Sequence, residues 1–200
     1  MAPRPDVREE RKTQILTAAT KVFTKHGFSE ARMDDIVAES GLSKGTLYWY
    51  FDSKDAIIIS MIDQIFDWET SHLRDLLEEE DSAQKKMKLF FESSIKDLER
   101  MKPLIPIFFD FWSLSVRKRN INLAIKHYYQ RFLNLIEPII QQGIDQGEFQ
   151  PVDASAAAVA IGALFEGTIL FLIYFPETTD IEKQFRFNIT LALEGLLINS

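Results

Sequence analysis

Gly41-Leu42-Ser43-Lys44-Gly45-Thr46-Leu47-Tyr48-Trp49-Tyr50-Phe51-Asp52-Ser53-Lys54 packs a turn, two helix caps and one short helix into a single run. Gly41 suits the left-handed conformation that a sharp helix-to-helix turn needs. Ser43 predicts the cap of a helix of about two turns, and Asp52 or Ser53 the cap of the next. At 3.6 residues per turn, Leu47 and Phe51 share an inward face. Gly45, Thr46 and Trp49 fall opposite, flanked by Tyr48 and Tyr50. A solvated helix rarely turns a Trp and two Tyr outward without a partner. A DNA groove supplies one: Tyr hydroxyls reach phosphates, and a Trp or a Thr methyl packs on a thymine methyl. Gly45 permits close backbone approach, and Lys54 adds charge to helix-terminal amides aimed at a phosphate.

The surrounding chain reads as helix throughout, because apolar residues recur at three and four rather than alternating. Ile15, Ala18, Ala19, Val22 and Phe23 form one face of a first helix, stopped by Gly27. Ile36 and Val37 lie in a short second helix ending near Ser40 and Gly41. After the quoted stretch, Ile57, Met61, Ile65, Trp68 and Leu73 give a fourth helix its buried stripe. Five more helices are expected at roughly 82–101, 103–116, 119–146, 153–175 and 179–198, about nine in all. Pro103, Pro151 and Pro176 mark boundaries, Gly147 ends the seventh helix, Pro138 predicts a kink within it, and Asp153 caps the eighth. The fold class is therefore all-α, with a seam near residue 53.

Composition narrows the chemistry. Of 200 residues, 46% are apolar and 16 are Phe, which marks a folded, aromatic-rich chain. No Cys is present, so disulfides, thiolate catalysis and cysteine-based zinc sites are excluded. His26, His72 and His127 are dispersed and no Gly-rich phosphate loop occurs, so neither catalysis, metal nor cofactor is expected. The N-terminus lacks the apolar run of a signal peptide, which predicts a cytoplasmic protein. The net charge is −7, yet residues 1–56 carry nine Lys or Arg against nine Asp or Glu, so the acidity belongs to the remainder. That distribution suits a positioned set of DNA contacts rather than a broad basic surface.

Residues 11–62 resemble the N-terminal domain of the tetracycline-repressor (TetR) family of bacterial transcription regulators. The matching string runs Ile15-Leu16-x-Ala18-Ala19, Phe23, Gly27-Phe28, Asp35-Ile36-Val37, Gly41 through Tyr48, and Tyr50-Phe51-x-Ser53-Lys54. The resemblance implies a three-helix helix-turn-helix domain over 1–53, whose recognition helix at about 44–50 enters the major groove. It implies an effector-binding and dimerisation domain over 54–200, paired through its last two helices. Family DNA contacts fall on Lys44, Gly45, Thr46, Tyr48, Trp49, Tyr50 and Lys54, with Arg32 and Met33 at the start of the second helix. Two positions depart from the family pattern. Arg32 stands where a capping Ser or Thr is common, and arginine has no acceptor with which to cap. Asp34 stands at a position often polar or basic, and is expected to complement the helix N-terminus or pair with Arg32. Arg4, Arg8, Arg11 and Lys12 form a candidate arm toward the minor groove or backbone.

A weaker likeness to the family covers about 139–172: Gly143-x-x-x-Gly147-Glu148-Phe149, Pro151-Val152-Asp153 and Glu166-Gly167. The body is more aromatic than a minimal bundle core requires. Phe108, Trp112, Tyr128, Phe132, Phe165 and Glu166 are the candidate effector contacts, and the aromatic content predicts an apolar or amphipathic effector such as a drug, lipid or acyl derivative. A buried Glu166 needs a hydrogen-bond partner, a neutral form or a cation. Ala156–Phe175 has the length of a membrane span, but Glu166 at its centre costs about 2.5–3.5 kcal/mol and no Lys or Arg flanks it. A helix covered by a core or a subunit interface is the better reading. Its small residues (Ala156, Ala157, Ala160, Gly162, Ala163, Gly167) and the ninth helix then predict a four-helix homodimer interface without membrane contact. Two-fold symmetry in turn predicts a roughly palindromic operator. The expected function is a ligand-responsive repressor with double-stranded DNA, a small-molecule effector and a second copy of itself as partners. The competing expectation is a protein-docking module that presents Tyr48-Trp49-Tyr50 to another protein.

Overall fold

The computed structural model describes residues 7–71, 77–78, 80–175, 177 and 180–197, with side chains undescribed at 65–66, 68–71, 97–101, 103 and 106. Nine α-helices are bounded within these residues: α1 Val7–Glu30, α2 Met33–Ser40, α3 Lys44–Tyr50, α4 Lys54–Ser71, α5 Ala83–Met101, α6 Ile105–Ser115, α7 Arg119–Asp145, α8 Ala154–Tyr174 and α9 Ile181–Leu196. A 3-10 turn, Lys102–Leu104, leads into α6. No strand occurs among the described residues, and the all-α class holds. Arg4 and the side chains of Ile65, Trp68 and Leu73 lie outside the described residues.

Capping chemistry explains the starts. Ser43 accepts the Thr46 N–H at 3.1 Å, Ser53 the Ala56 N–H at 3.2 Å, and Asp153 the Ala156 N–H at 3.0 Å. Arg32 makes no side-chain cap. The reciprocal half of the box remains, with the Asp35 carboxylate accepting the Arg32 N–H at 2.8 Å. Gly41 closes α2 at φ 66°, the left-handed value that a Cβ resists. The first helical run stops at Gly27 as expected, where the backbone leaves the helical conformation (φ 70°, ψ 161°), and a short second turn continues to Glu30 within the span of α1. The Phe28 N–H, which the turn releases from the helix ladder, is taken by the Asp110 carboxylate at 3.1 Å. α7 carries Pro138 inside its span.

Packing groups the chain into two units, and the grouping differs from a division at residue 53. One unit holds the residues up to Ile65 together with Pro103–Lys126; the other holds Phe66–Lys102 and His127 onward. In the first, α1 packs on α2 and α6, and α2 on α3. The expected α1 face is buried: Ile15, Ala18, Ala19, Val22 and Phe23. Ile36, Leu47, Phe51, Ile57 and Met61 join that core. Gln14 crosses from α1 to the Ser40 carbonyl at 2.7 Å and fixes the end of α2. In the second unit, Met87, Phe90, Phe91, Ile136, Ile140, Phe149 and Ile161 centre the core. Gly143 has no side chain because the Phe149 ring occupies that space: a Cβ there falls 2.1 Å from it. Gln150 then ties the α7–α8 turn to the end of α9, its N–H donating to the Leu196 carbonyl at 2.8 Å.

Candidate functional site

α3 is a short rod seated on one side chain. Leu47 is fully buried and Phe51 nearly so, while Tyr48 is 43% and Trp49 68% exposed. Tyr50 is half-buried and meets Trp49 edge-on at 4.6 Å. The inward and outward faces thus follow the 3.6-residue reading. Lys44, Gly45 and Thr46 occupy the exposed first turn, where Ser43 holds both the Thr46 N–H and its hydroxyl. Arg32 is exposed and Met33 half-buried at the start of α2.

Cations are arranged over this surface. The Lys44 ammonium lies 5.9 Å from the Tyr48 ring centre, and the Arg8 guanidinium 5.7 Å from that of Trp49. Arg8 belongs to the first turn of α1, so the residues from Val7 onward are helix rather than extended arm. Nothing in the sequence pairs residue 8 with residue 49; only the packing of α1 does. Asp34 lies in the first turn of α2, where its charge complements the helix N-terminus, and its ion-pair partner is not Arg32. Its carboxylate sits 2.7 Å from the Lys44 ammonium, on the exposed side of both helices. The hydrogen bond from Lys44 to Asp34, with their mutual attraction, raises the lysine above its ordinary value.

Lys54 is engaged elsewhere than the sequence suggests. Its ammonium donates to the carbonyls of Phe28 (2.7 Å), Ala31 (2.5 Å) and Ser29 (3.3 Å), and lies 4.5 Å from the centre of the Phe28 ring. A lysine has three donors, and three carbonyls at the end of α1 take them. Burial, reinforced by the nearby Lys118 charge, lowers its pKa below the usual lysine value. Lys54 is therefore a cap of α1 held on the floor of the unit. Beside it, Lys118 donates to Asp55 at 2.6 Å and Asn120 donates to the other carboxylate oxygen at 3.2 Å. Burial opposes ionisation of Asp55, but these hydrogen bonds outweigh it and hold the carboxyl below its usual range. With the Asp110 bond to Phe28, α6 and the start of α7 are fastened to the helices that carry α3.

The candidate effector residues divide between the units. Phe108 and Trp112 belong to the first, where Phe108 meets Phe111 at 6.3 Å. Tyr128, Phe132, Phe165 and Glu166 belong to the second. There Phe165 stacks on Phe91 at 5.9 Å and meets Phe185 edge-on at 4.9 Å, while Phe90 joins Phe132. A crevice between α5, α8 and α9 is lined by Phe91, Ile161, Phe165, Thr168, Phe185 and Asn188, with about 10 Å³ of free space, the room of one water. Asn188 donates to the Thr168 hydroxyl at 2.7 Å. Glu166 is half-buried; burial raises its pKa, partly offset by a hydrogen bond from Tyr129. Among the described residues no cluster of His, Asp and Glu could hold a metal ion.

α8 and α9 leave an apolar face open. On α8 the exposed residues Ala156, Val159, Ala160, Ala163, Leu170, Phe171 and Tyr174 follow one helical stripe. On α9, Phe187 and Leu191 are 63% and 55% exposed. α8 is long and apolar enough to cross a membrane by length and composition.

Comparison with known proteins agrees with this arrangement. Residues 15–61 match the model of bacterial regulatory proteins of the tetR family, and residues 72–187 match that of the C-terminal region of BetI-type transcriptional repressors. The HTH-type transcriptional regulator YfiR of Bacillus subtilis is 30% identical over 172 residues, which is 85% of this chain and 83% of that protein. Two solved structures share the fold. A TetR transcription regulator from Haloarcula marismortui superposes with a TM-score of 0.84 at 17% identity, over 95% of this chain and all of the other. FadR from Bacillus subtilis, in complex with stearoyl-CoA, superposes at 0.79 and 22% identity, over 92% and 98%.

Proposed function

This chain belongs to the tetR family of bacterial regulatory proteins, and we propose that it is a repressor released from a palindromic operator by a small apolar or amphipathic effector. It is a transcription regulator and not an enzyme. One observation carries the DNA-binding reading: a short helix anchored by buried Leu47 that turns Tyr48 and Trp49 to solvent, each beneath a cation. In this reading Lys44, Gly45, Thr46, Tyr48, Trp49 and Tyr50 contact the major groove, with the Arg32 guanidinium and the Met33 backbone N–H reaching the adjacent phosphates. Lys54 positions α1 beneath them instead of touching the duplex. The helix-turn-helix module is residues 1–53, and the remainder serves effector binding and pairing. Two chains join through the open faces of α8 and α9, and the two-fold symmetry of the pair matches an inverted-repeat operator.

The effector enters the aromatic cluster around Phe165 in the second unit. The crevice there has the room of one water, so an effector seated in it would part α5, α8 and α9 and select that opened state. The opened state is transmitted along α4 and α7, each of which runs from the second unit into the first. FadR from Bacillus subtilis holds stearoyl-CoA in its solved structure, which favours an acyl derivative. The test selects duplexes from a randomised pool and measures their affinity with and without acyl-CoA thioesters. Selection of an inverted repeat, weakened by an acyl-CoA that also raises the melting temperature, supports the reading. Failure to select any duplex removes it.

A further inference from the structure

The surface of the first unit that carries α3 holds an exposed carboxylate that takes no part in the capping hydrogen bonds. Asp35, not Asp34, closes the start of α2. Ser43 closes the start of α3. Asp34 is 68% exposed on its side chain, projects from the first turn of α2, and places its oxygen 2.7 Å from the Lys44 ammonium on the first turn of α3. The lysine side chain is itself 62% exposed and lies against the Tyr48 ring. An ion pair this exposed adds little to stability. Its effect is on the charge available to a polyanion.

Resting on the DNA-binding reading above, we propose that Asp34 is a specificity determinant that suppresses sequence-independent binding by holding the Lys44 ammonium in competition with phosphate. Non-specific affinity is almost wholly electrostatic, each phosphate neutralised adding about 0.9 to the salt slope. A Lys44 bound to Asp34 is neutralised before the duplex arrives. Transferring it to a phosphate leaves the Asp34 carboxylate facing the DNA backbone, so a generic sequence gains nothing from the exchange. A cognate sequence differs, because a carboxylate in the major groove accepts from the N4 amine of cytosine. There the exchange satisfies both partners, and the penalty falls on the wrong sequences alone.

The test uses full-length protein, a scrambled duplex and the best duplex recovered by selection, with affinity measured across a salt series. Asp34→Asn keeps the shape and removes the charge. It is expected to raise affinity for the scrambled duplex about three- to tenfold at low salt and to steepen that salt slope by about 0.9. The selected duplex gains less, so the ratio of specific to non-specific affinity falls. Asp34→Glu is expected to restore the wild-type slope. In a Lys44→Gln background, Asp34→Asn is expected to leave the slope unchanged, since no ammonium remains to be released. The proposal is overturned if Asp34→Asn leaves the scrambled-duplex slope at its wild-type value, or raises both affinities by the same factor. Wild-type protein that binds no duplex overturns the DNA-binding reading itself, which is a separate result.

Discussion

Among the surfaces that expose large apolar side chains in the described residues, those of α3 and of α8 and α9 are built differently. On α3, Tyr48 and Trp49 are exposed with cations set over their rings, and Asp34 stands beside them. On α8, Phe171 is 59% exposed within a stripe of Ala, Val, Leu and aromatic residues; on α9, Phe187 and Leu191 continue the apolar surface. The first surface mixes aromatic faces with charge and suits a polyanionic partner. The second is apolar and suits the proposed pairing with a second copy of the same helices. Exposure alone therefore does not name a partner; the charge around it says which kind would fit.

The largest expected effect breaks the apolar surface. Phe187→Glu combined with Leu191→Glu places like charges on the face proposed above to pair two copies. Light scattering is expected to show the monomer mass, with the fold retained by circular dichroism. Affinity for an inverted-repeat duplex falls by about a hundredfold, because the second half-site is no longer held by the first. A dimer that survives both charges removes α9 from the interface.

The converse change tests the other surface. Tyr48→Ala and Trp49→Ala are each expected to weaken binding to the selected duplex by about 1–2 kcal/mol. Thermal stability stays within about 0.5 kcal/mol, because the side chains are exposed. A large loss of stability from either variant would show that the rings serve the core.

Lys54 separates positioning from contact. Lys54→Met removes three hydrogen bonds to the end of α1 while keeping most of the stem. Chemical denaturation is expected to show a loss of about 1–2 kcal/mol, with the salt slope of DNA binding unchanged. A slope lowered by about 0.9 would assign Lys54 to a phosphate after all.

The smallest effect concerns Glu166. Burial raises its pKa in the folded chain above the unfolded value, so the favourable contribution is complete at low pH and is lost as pH rises through the folded pKa. Glu166→Gln is expected to match wild-type stability near pH 4. At pH 7 it exceeds wild type by less than about 1 kcal/mol, the half-exposed carboxylate being partly screened. Equal melting temperatures at both pH values would show that the Tyr129 hydrogen bond offsets the burial.

Much of this was readable before any coordinates. The periodicity of Ile15, Ala18, Ala19, Val22 and Phe23, the caps Ser43, Ser53 and Asp153, and the inward Leu47 and Phe51 are local properties. Each depends on residues within a turn or two, where helix geometry dictates the neighbour. The run from Gly41 to Lys54 thus determined the short recognition rod and its two faces. Tertiary structure decided the rest. Lys54 became a cap because α4 starts beneath the end of α1, and Lys44 gained Asp34 because the α2–α3 turn brings two first turns together. Gly27 ends the first run of α1 as its sequence predicts, but the acceptor of the freed Phe28 N–H is Asp110, eighty-two residues further along the chain from Phe28, which only packing supplies. A cation's partner is set by which carbonyl or carboxylate lies within about 3 Å in space, and no spacing along the chain encodes that distance.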